Sequence, residues 1–355
     1  MAIIRRYLVS SMILMTLILG TISSKTACAS SPREPYEITI YTLSVGSTNY
    51  LFGVALAELI NKHSTWLRAR AVEGMNPEAH QRMLALEPEK RKNTVVFSSP
   101  LAQWRIETGR LSDVKPYFGH RQIASWGIAA NGFISLNPKI TKLEDLKGKR
   151  VGVDLKRFFG RCGLPLAVVK QYVPLSDVNI EYLPPVDGFD ALRNGLVDVY
   201  YAIGVMKSPT IATPSAATQE FLDTVRQRPY FLSPSPEKVK AAMKDLGGYP
   251  ISTIAVAPGT FHPKQDTSWV LSYECLTWGA DAAVPEDVVY EVSKIHLDNQ
   301  KKFMEVHPSG TFISKETVGL MGVEEELVHP GALKCYRERG VKIGAIGGNP
   351  ILKWR

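Results

Sequence analysis

The chain has 355 residues, of which 45% are hydrophobic and 21% are charged, and its formal net charge is +8. This composition is typical of a globular soluble protein and argues against a disordered chain or an integral membrane protein. The basic residues are spread along the chain without a run of five, so a nucleic-acid-binding face is not predicted. The length is sufficient for two domains of ordinary size.

The first 29 residues have the layout of a secretory signal peptide. Arg5 and Arg6 precede an apolar run over 7–22, and the small-residue site Ala27-Cys28-Ala29 follows it. We expect cleavage after Ala29 and export of the mature chain. Cleavage before Cys28, followed by lipidation of that residue, is the alternative. Removal of the leader with its three basic residues leaves a formal charge of +5, which suits an anionic small ligand.

The first strand-to-helix turn is rich in small polar residues. The run 38–45 is rich in β-branched and aromatic residues and predicts a strand. A helix packed on a core is predicted next, because apolar residues recur at spacings of three and four: Phe52, Ala55, Leu56, Leu59 and Ile60. The unpaired N–H groups at such a helix start can hold an anion, or the polar residues can simply cap the helix.

Strand-like and helix-like segments alternate along the rest of the chain. Further strands are predicted over 93–99, 125–131, 150–155, 197–203, 251–259 and 267–280. Further helices are predicted over 77–86, 143–146, 164–173, 189–194, 214–228, 235–246, 285–306 and 330–339. This alternation is typical of α/β proteins with parallel strands. No linker is visible, so we expect the domains to be joined by strands that cross between them.

No catalytic motif is present, and we predict neither an enzyme, a metal site nor a cofactor. The patterns G-x-S-x-G, H-E-x-x-H and G-x-x-x-x-G-K-[ST] are all missing, and the seven histidines show no metal-ligand spacing. Three cysteines follow the predicted cleavage site: Cys162, Cys275 and Cys335. Their spacing favours buried free thiols, although an oxidising compartment also permits one disulfide.

Polar or glycine-containing loops follow three predicted strands and the segment LRARAV over 67–72. These loops cover 46–50, 73–76, 98–99 and 156–163. Ligands bind at the carboxyl ends of strands in open α/β sheets, so these loops are the candidate site. Together with one tyrosine of the 197–203 strand, they supply the candidate ligand-binding residues: Ser47, Thr48, Asn49, Tyr50, Gly74, Met75, Asn76, Ser98, Ser99, Arg157, Phe158, Phe159, Arg161 and Tyr201.

The fourth loop, KRFFGRCG over 156–163, combines charge with aromatic residues. Arg157 and Arg161 flank two phenylalanines. Arginine binds a carboxylate through two parallel hydrogen bonds, each worth about 1.5–3 kcal/mol as a charged hydrogen bond. The aromatic rings can cover the apolar part of such a ligand. Alternatively, the rings pack into the core and the arginines face water.

Several segments together resemble the TAXI family, the extracytoplasmic solute-binding proteins of TRAP transporters. They are GSTNYLFGVALAELINK over 46–62, LEDLKGKRVGV over 143–153, ALRNGLVDVYYAIG over 191–204, PEDVVYEVSKIHLDN over 285–299 and HPGALKCYRERGV over 329–341. The resemblance extends from about residue 38 to 341. It implies a monomeric periplasmic protein with a two-lobed, type II periplasmic-binding-protein-like fold. Two mixed sheets flanked by helices would be joined by crossing strands and would close by a hinge around a small organic anion.

The resemblance also implies domain bounds and partners. Lobe 1 would comprise 30–126 and 267–355, and lobe 2 would comprise 127–266. The captured anion would be delivered to the membrane subunits of a TRAP transporter. All four candidate loops depart from the family's pattern, so we expect a carboxylate with an apolar or aromatic body instead of an amino-dicarboxylate. The alternatives are the ligand-binding component of a sensor system, or an enzyme built on the same two-lobed fold.

Overall fold

The computed structural model describes residues 33–45, 47–111, 113–248 and 252–345. The predicted signal peptide, its cleavage site and Cys28 lie outside these residues. Ten α-helices are described within them: α1 (Thr48–His63), α2 (Pro77–Leu86), α3 (Pro100–Glu107), α4 (Gly163–Val169), α5 (Pro185–Arg193), α6 (Ala216–Thr224), α7 (Pro236–Asp245), α8 (Glu286–Asp298), α9 (Gln300–Val306) and α10 (Pro330–Arg339). None of the helices in this described part is long and apolar enough to cross a bilayer.

The same ranges contain eleven β-strands: β1 (Tyr36–Tyr41), β2 (Leu67–Val72), β3 (Thr94–Ser98), β4 (His120–Ser135), β5 (Arg150–Val153), β6 (Asn179–Tyr182), β7 (Val199–Ser208), β8 (Ile211–Pro214), β9 (Tyr230–Leu232), β10 (Ser252–Val256) and β11 (Trp269–Asp281). They form one mixed sheet with the order β2-β1-β3-β11-β4-β7-β5-β6, to which β8, β9 and β10 pair at the side. The predicted mixed α/β fold is therefore confirmed.

Two long strands join the parts of this sheet. β1, β2 and β3 pair in parallel and are called the first half here, and β5, β6 and β7 form the second half. Between the halves, β4 and β11 pair with each other in antiparallel fashion from His120–Asp281 to Asn131–Ser272. This pairing is continuous apart from two register shifts. The strands therefore form one hydrogen-bonded sheet, whereas the sequence analysis expects two sheets joined by crossing strands.

Helix α1 shows how the sequence builds the first half. Ser47 caps the helix, and its hydroxyl accepts a hydrogen bond from the Tyr50 amide at 3.1 Å. The predicted apolar stripe is buried along its full length: Phe52, Ala55, Leu56, Leu59 and Ile60. The 3.6-residue period of the pattern thus correctly predicts the buried face of α1.

Two further expectations have clear outcomes. The segment 285–306, predicted as one helix, is divided into α8 and α9 at Asn299, so that prediction is wrong. The side-chain amide of Asn299 donates a hydrogen bond to the Ile295 carbonyl at 2.8 Å. The backbone of Asn299 lies outside the helical region. The predicted free thiols are confirmed, because all three cysteines in the described chain are unbridged and buried.

Candidate functional site

A pocket of about 360 Å³ lies between the two halves of the sheet. Its floor is formed where three strands run side by side, because Glu274 of β11 pairs with Ala129 of β4, which pairs with Val205 of β7. Much of its wall is apolar: Leu43, Phe97, Leu101, Trp126, Phe158, Phe159, Ile203 and Leu276. This volume lies within the range of sites for small organic molecules.

Five helices begin at this pocket. Its lining includes the starts of α1, α2, α3, α5 and α6: Ser47 and Thr48, Asn76 and Pro77, Ser99, Pro185, and Ser215 to Ala217. The caps Ser47, Asn76, Ser99 and Ser215 each accept a hydrogen bond from an amide in the first turn of their own helix. These side chains therefore perform the capping role. The positive ends of five helix dipoles still converge on one space, which favours a bound negative charge.

The loop 156–163 extends from the second half of the sheet and contacts the first half across the pocket. The Asn76 amide donates to the Arg157 carbonyl at 3.0 Å. The Arg105 guanidinium of α3 lies 4.0 Å from the centre of the Phe159 ring. Gly160 packs so closely on Glu274 that an added Cβ would lie 2.4 Å from its carboxylate. These three contacts hold the loop against the opposite wall, so that the loop covers part of the pocket.

The two arginines of this loop have different environments. Arg161 forms an ion pair with Asp154 at 3.1 Å, and the Asp154 side chain is almost fully buried. Arg157 forms no ion pair with any described residue and is exposed. Both guanidinium groups lie near the Phe158 ring, at 5.1 Å for Arg157 and 4.5 Å for Arg161. Arg157 is therefore the lining arginine whose charge remains available to a ligand.

We expect Arg161→Ala to lower the free energy of unfolding by about 1–3 kcal/mol near pH 8, because the buried Asp154 carboxylate loses its partner. Burial already raises the pKa of Asp154, and Arg161 opposes that effect. Without Arg161 the pKa of Asp154 in the folded protein rises further. At lower pH Asp154 of the folded variant is therefore protonated, which removes the cost of burying an unpaired charge and makes the stability deficit smaller. Urea unfolding at pH 8 and pH 5 would test this, with Lys156→Ala as the control. A deficit that grows toward pH 5 would contradict it.

Glu274 is a pocket residue that the sequence does not indicate. Burial raises the pKa of its carboxyl to about 7, and the charge of Glu78 acts in the same direction. The Ser99 hydroxyl and the charge of Arg161 act in the opposite direction. No ion pair joins Glu274 to any cationic side chain in the described residues. The floor of the pocket thus carries a carboxyl group whose pKa burial raises well above its usual range.

Three further lining residues are buried and carry polar atoms without a hydrogen-bond partner among the described residues. They are the side-chain nitrogen of Asn49, the indole nitrogen of Trp126 and the side-chain oxygen of Asn131. All three residues are at most 3% exposed. A buried polar group without a partner costs about 1–3 kcal/mol. Pocket walls where such groups collect are suited to a polar ligand that supplies the missing partners.

Nine of the fourteen predicted site residues line the pocket: Ser47, Thr48, Asn49, Asn76, Ser99, Arg157, Phe158, Phe159 and Arg161. The other five, Tyr50, Gly74, Met75, Ser98 and Tyr201, are not among its lining residues. A Cβ on Gly74 would lie 2.5 Å from the Thr42 carbonyl, so Gly74 permits close packing. Met75 is 54% exposed, and the Ser98 hydroxyl bonds to the His120 ring at 2.8 Å. Tyr201 packs on Phe133 within the sheet.

The fold and the pocket together define an α/β protein with a site of small-molecule size at converging helix starts. A model of the NMT1-like family matches residues 40–340. The chain therefore belongs to the NMT1-like family.

Several solved structures resemble the chain. They include a TctC solute binding protein from Polaromonas, with 14% identity, 79% of this chain and 90% of that chain covered and a TM-score of 0.46. MatC from Rhodopseudomonas palustris with bound malate is 14% identical, and the match covers 86% of this chain and 96% of MatC with a TM-score of 0.46. The periplasmic aliphatic sulphonate binding protein SsuA from Escherichia coli is 15% identical, and the match covers 90% of this chain and 98% of SsuA with a TM-score of 0.44.

Proposed function

We propose that this protein is an extracytoplasmic solute-binding protein that captures a small organic carboxylate in the pocket and presents it to a membrane transporter of the TRAP type. The observation that carries the proposal is the convergence on one pocket of five helix starts and of Arg157, which has no ion-pair partner among the described residues. Helix dipoles and an arginine fork both favour a carboxylate over a neutral or cationic ligand. The solute-binding proteins named above resemble this chain, and the TAXI-like segments agree with the same role.

The apolar wall indicates the rest of the ligand. Phe158 and Phe159 cover the pocket on the side of the loop, while Trp126 and Leu276 line it from the central strands. A ligand with only polar groups would leave these surfaces in contact with water. We therefore propose a carboxylate that carries an apolar or aromatic body, for which burial contributes about 25 cal/mol for each Å² of apolar surface.

The two predicted lobes belong to this proposal. Lobe 1 would comprise 30–126 and 267–355, and lobe 2 would comprise 127–266, so that the lobes meet within β4 and just before β11. β4 and β11 lie between the two halves of the sheet, and the lobe bound at 126–127 falls within β4, so bending of these central strands would supply the hinge. The loop contacts across the pocket are those that opening would break. A cleaved leader over 1–29, a periplasmic location and a monomeric state complete the proposal.

Thermal unfolding of the mature protein against a panel of carboxylates tests the ligand class. A ligand at about one hundred times its dissociation constant is expected to add roughly 2.7 kcal/mol of stability, which raises the midpoint measurably. We expect apolar and aromatic carboxylates to raise it, and neutral amides of the same compounds to leave it unchanged. Equal stabilisation by an acid and its amide would contradict the carboxylate assignment.

A further inference from the structure

Four charged side chains line the pocket, and two of them are neutralised within the protein. Glu78 forms an ion pair with Arg105, and Arg161 forms one with Asp154. The remaining two are Arg157 and Glu274, neither of which has an ion-pair partner in the part of the chain that the structure describes. The pocket thus presents one available cation and one available carboxyl group to its ligand.

We propose that Glu274 is a specificity-determining residue that pairs with a protonated amino group of the ligand, so that the ligand is an amino carboxylate with an apolar body. This inference rests on the proposed function and deepens it. Arg157 and the helix starts would receive the carboxylate. Glu274 would receive the amino group at the floor of the pocket.

The surroundings of Glu274 favour a ligand that carries a hydrogen-bond donor. Glu274 lies in β11 beside Ala129 of β4, and the neighbouring wall residues Leu101 and Leu276 are apolar. A plain carboxylate beside Glu274 would be repelled by the ionised form of its carboxyl group and would bind favourably only after that group takes up a proton. An ammonium group would instead form a charge-assisted hydrogen bond, the stronger kind in such surroundings. The side-chain oxygen of Asn131, also on the floor, is a second buried acceptor without a described partner.

The groups that face Glu274 determine how it titrates. Glu78 of α2 raises its pKa, whereas Arg161 of the loop and the Ser99 hydroxyl at the start of α3 lower it. Cys275 and Tyr201 lie close enough for Glu274 to raise their own pKa values, and both stay uncharged near pH 7. Burial has the largest effect and raises the pKa of Glu274 to about 7.

The sign of the proton exchange on binding therefore distinguishes two classes of ligand. An ammonium group lowers the pKa of Glu274, so the complex releases protons near pH 7. A carboxylate without an amino group raises the pKa of Glu274, so the complex takes protons up. Titration calorimetry at pH 7 in two buffers of different ionisation enthalpy measures this sign.

The experiment uses matched pairs of probes that differ only in the amino group. They are phenylalanine against 3-phenylpropanoate, leucine against 4-methylpentanoate, and 4-(aminomethyl)benzoate against 4-methylbenzoate. We expect at least one amino member to bind tenfold or more tightly than its partner and to release protons. Equal or tighter binding by every des-amino partner, or proton uptake by the amino member, would overturn the assignment of Glu274.

Variants separate this inference from the proposed function. Glu274→Gln keeps the shape of the side chain and is expected to abolish both the tenfold preference and the proton release, while the des-amino compound binds as well as before or better. Glu89→Gln, at an exposed position outside the pocket, is the matched control. Binding of des-amino compounds alone would overturn the role of Glu274 and leave the carboxylate-binding function standing. Binding of no compound in either series would overturn both.

Discussion

Arg157→Ala is expected to weaken carboxylate binding by about 2–5 kcal/mol while leaving the stability of the empty protein within about 0.5 kcal/mol of the parent. The affinity loss follows because a carboxylate enclosed in the pocket would lose its charged partner. The stability is preserved because Arg157 is exposed and forms no ion pair with any described residue. Calorimetric titration and urea unfolding of the same samples measure both quantities.

Two variants sharpen this test. Lys156→Ala removes the preceding positive charge, whose ammonium group lies over the Tyr182 ring at 4.5 Å outside the pocket lining. It should leave affinity nearly unchanged. Arg157→Lys retains the charge but not the planar fork, so it should recover only part of the lost affinity. Equal losses in Lys156→Ala and Arg157→Ala would mean that only the general positive charge of the loop matters.

The contrast between Arg157 and Arg161 could not be predicted from the sequence. Both arginines lie in one short loop, and their spacing gives no sign of which one is neutralised. The choice is made by Asp154, which the end of β5 places beside Arg161. A charge pair of this kind depends on how the loop folds back over the strand that precedes it. The sequence pattern indicates a basic, aromatic loop, and the tertiary structure divides the roles within it.

Local patterns predict well where a period or a cap determines the structure. The stripe of α1 and the caps Ser47, Asn76 and Ser99 follow from helix geometry, and they bring three of the four predicted loops to one pocket. For side chains of the central strands, the sequence does not predict which of them face the pocket. Trp126 and Asn131 belong to β4, which is buried on both faces, so its sequence shows no alternation that marks the face toward the pocket. Glu274 is a lone carboxylate in β11, and only the pairing of β11 with β4 places it at the floor.

The second large effect is expected from Phe52→Ala, at the N-terminal end of the buried face of α1. The Phe52 ring is fully buried and meets Trp126 edge-on with ring centres 5.6 Å apart, and it meets Phe303 of α9 at the same distance. Truncation to alanine removes these contacts and leaves a cavity that the rigid sheet cannot fill. The free energy of unfolding should fall by about 3–5 kcal/mol.

Leu51→Ala is the matched control, because the preceding side chain on the same helix is 38% exposed and its truncation should cost much less. Urea unfolding of both variants measures the difference. Phe52→Ala should also reduce ligand affinity, since the Trp126 indole that Phe52 supports forms part of the pocket wall. A loss below about 1 kcal/mol in Phe52→Ala would mean that the core beneath the pocket repacks freely. In that case Trp126 would not be held in place by α1, and the helix that begins at Ser47 would contribute to the site through its first turn alone.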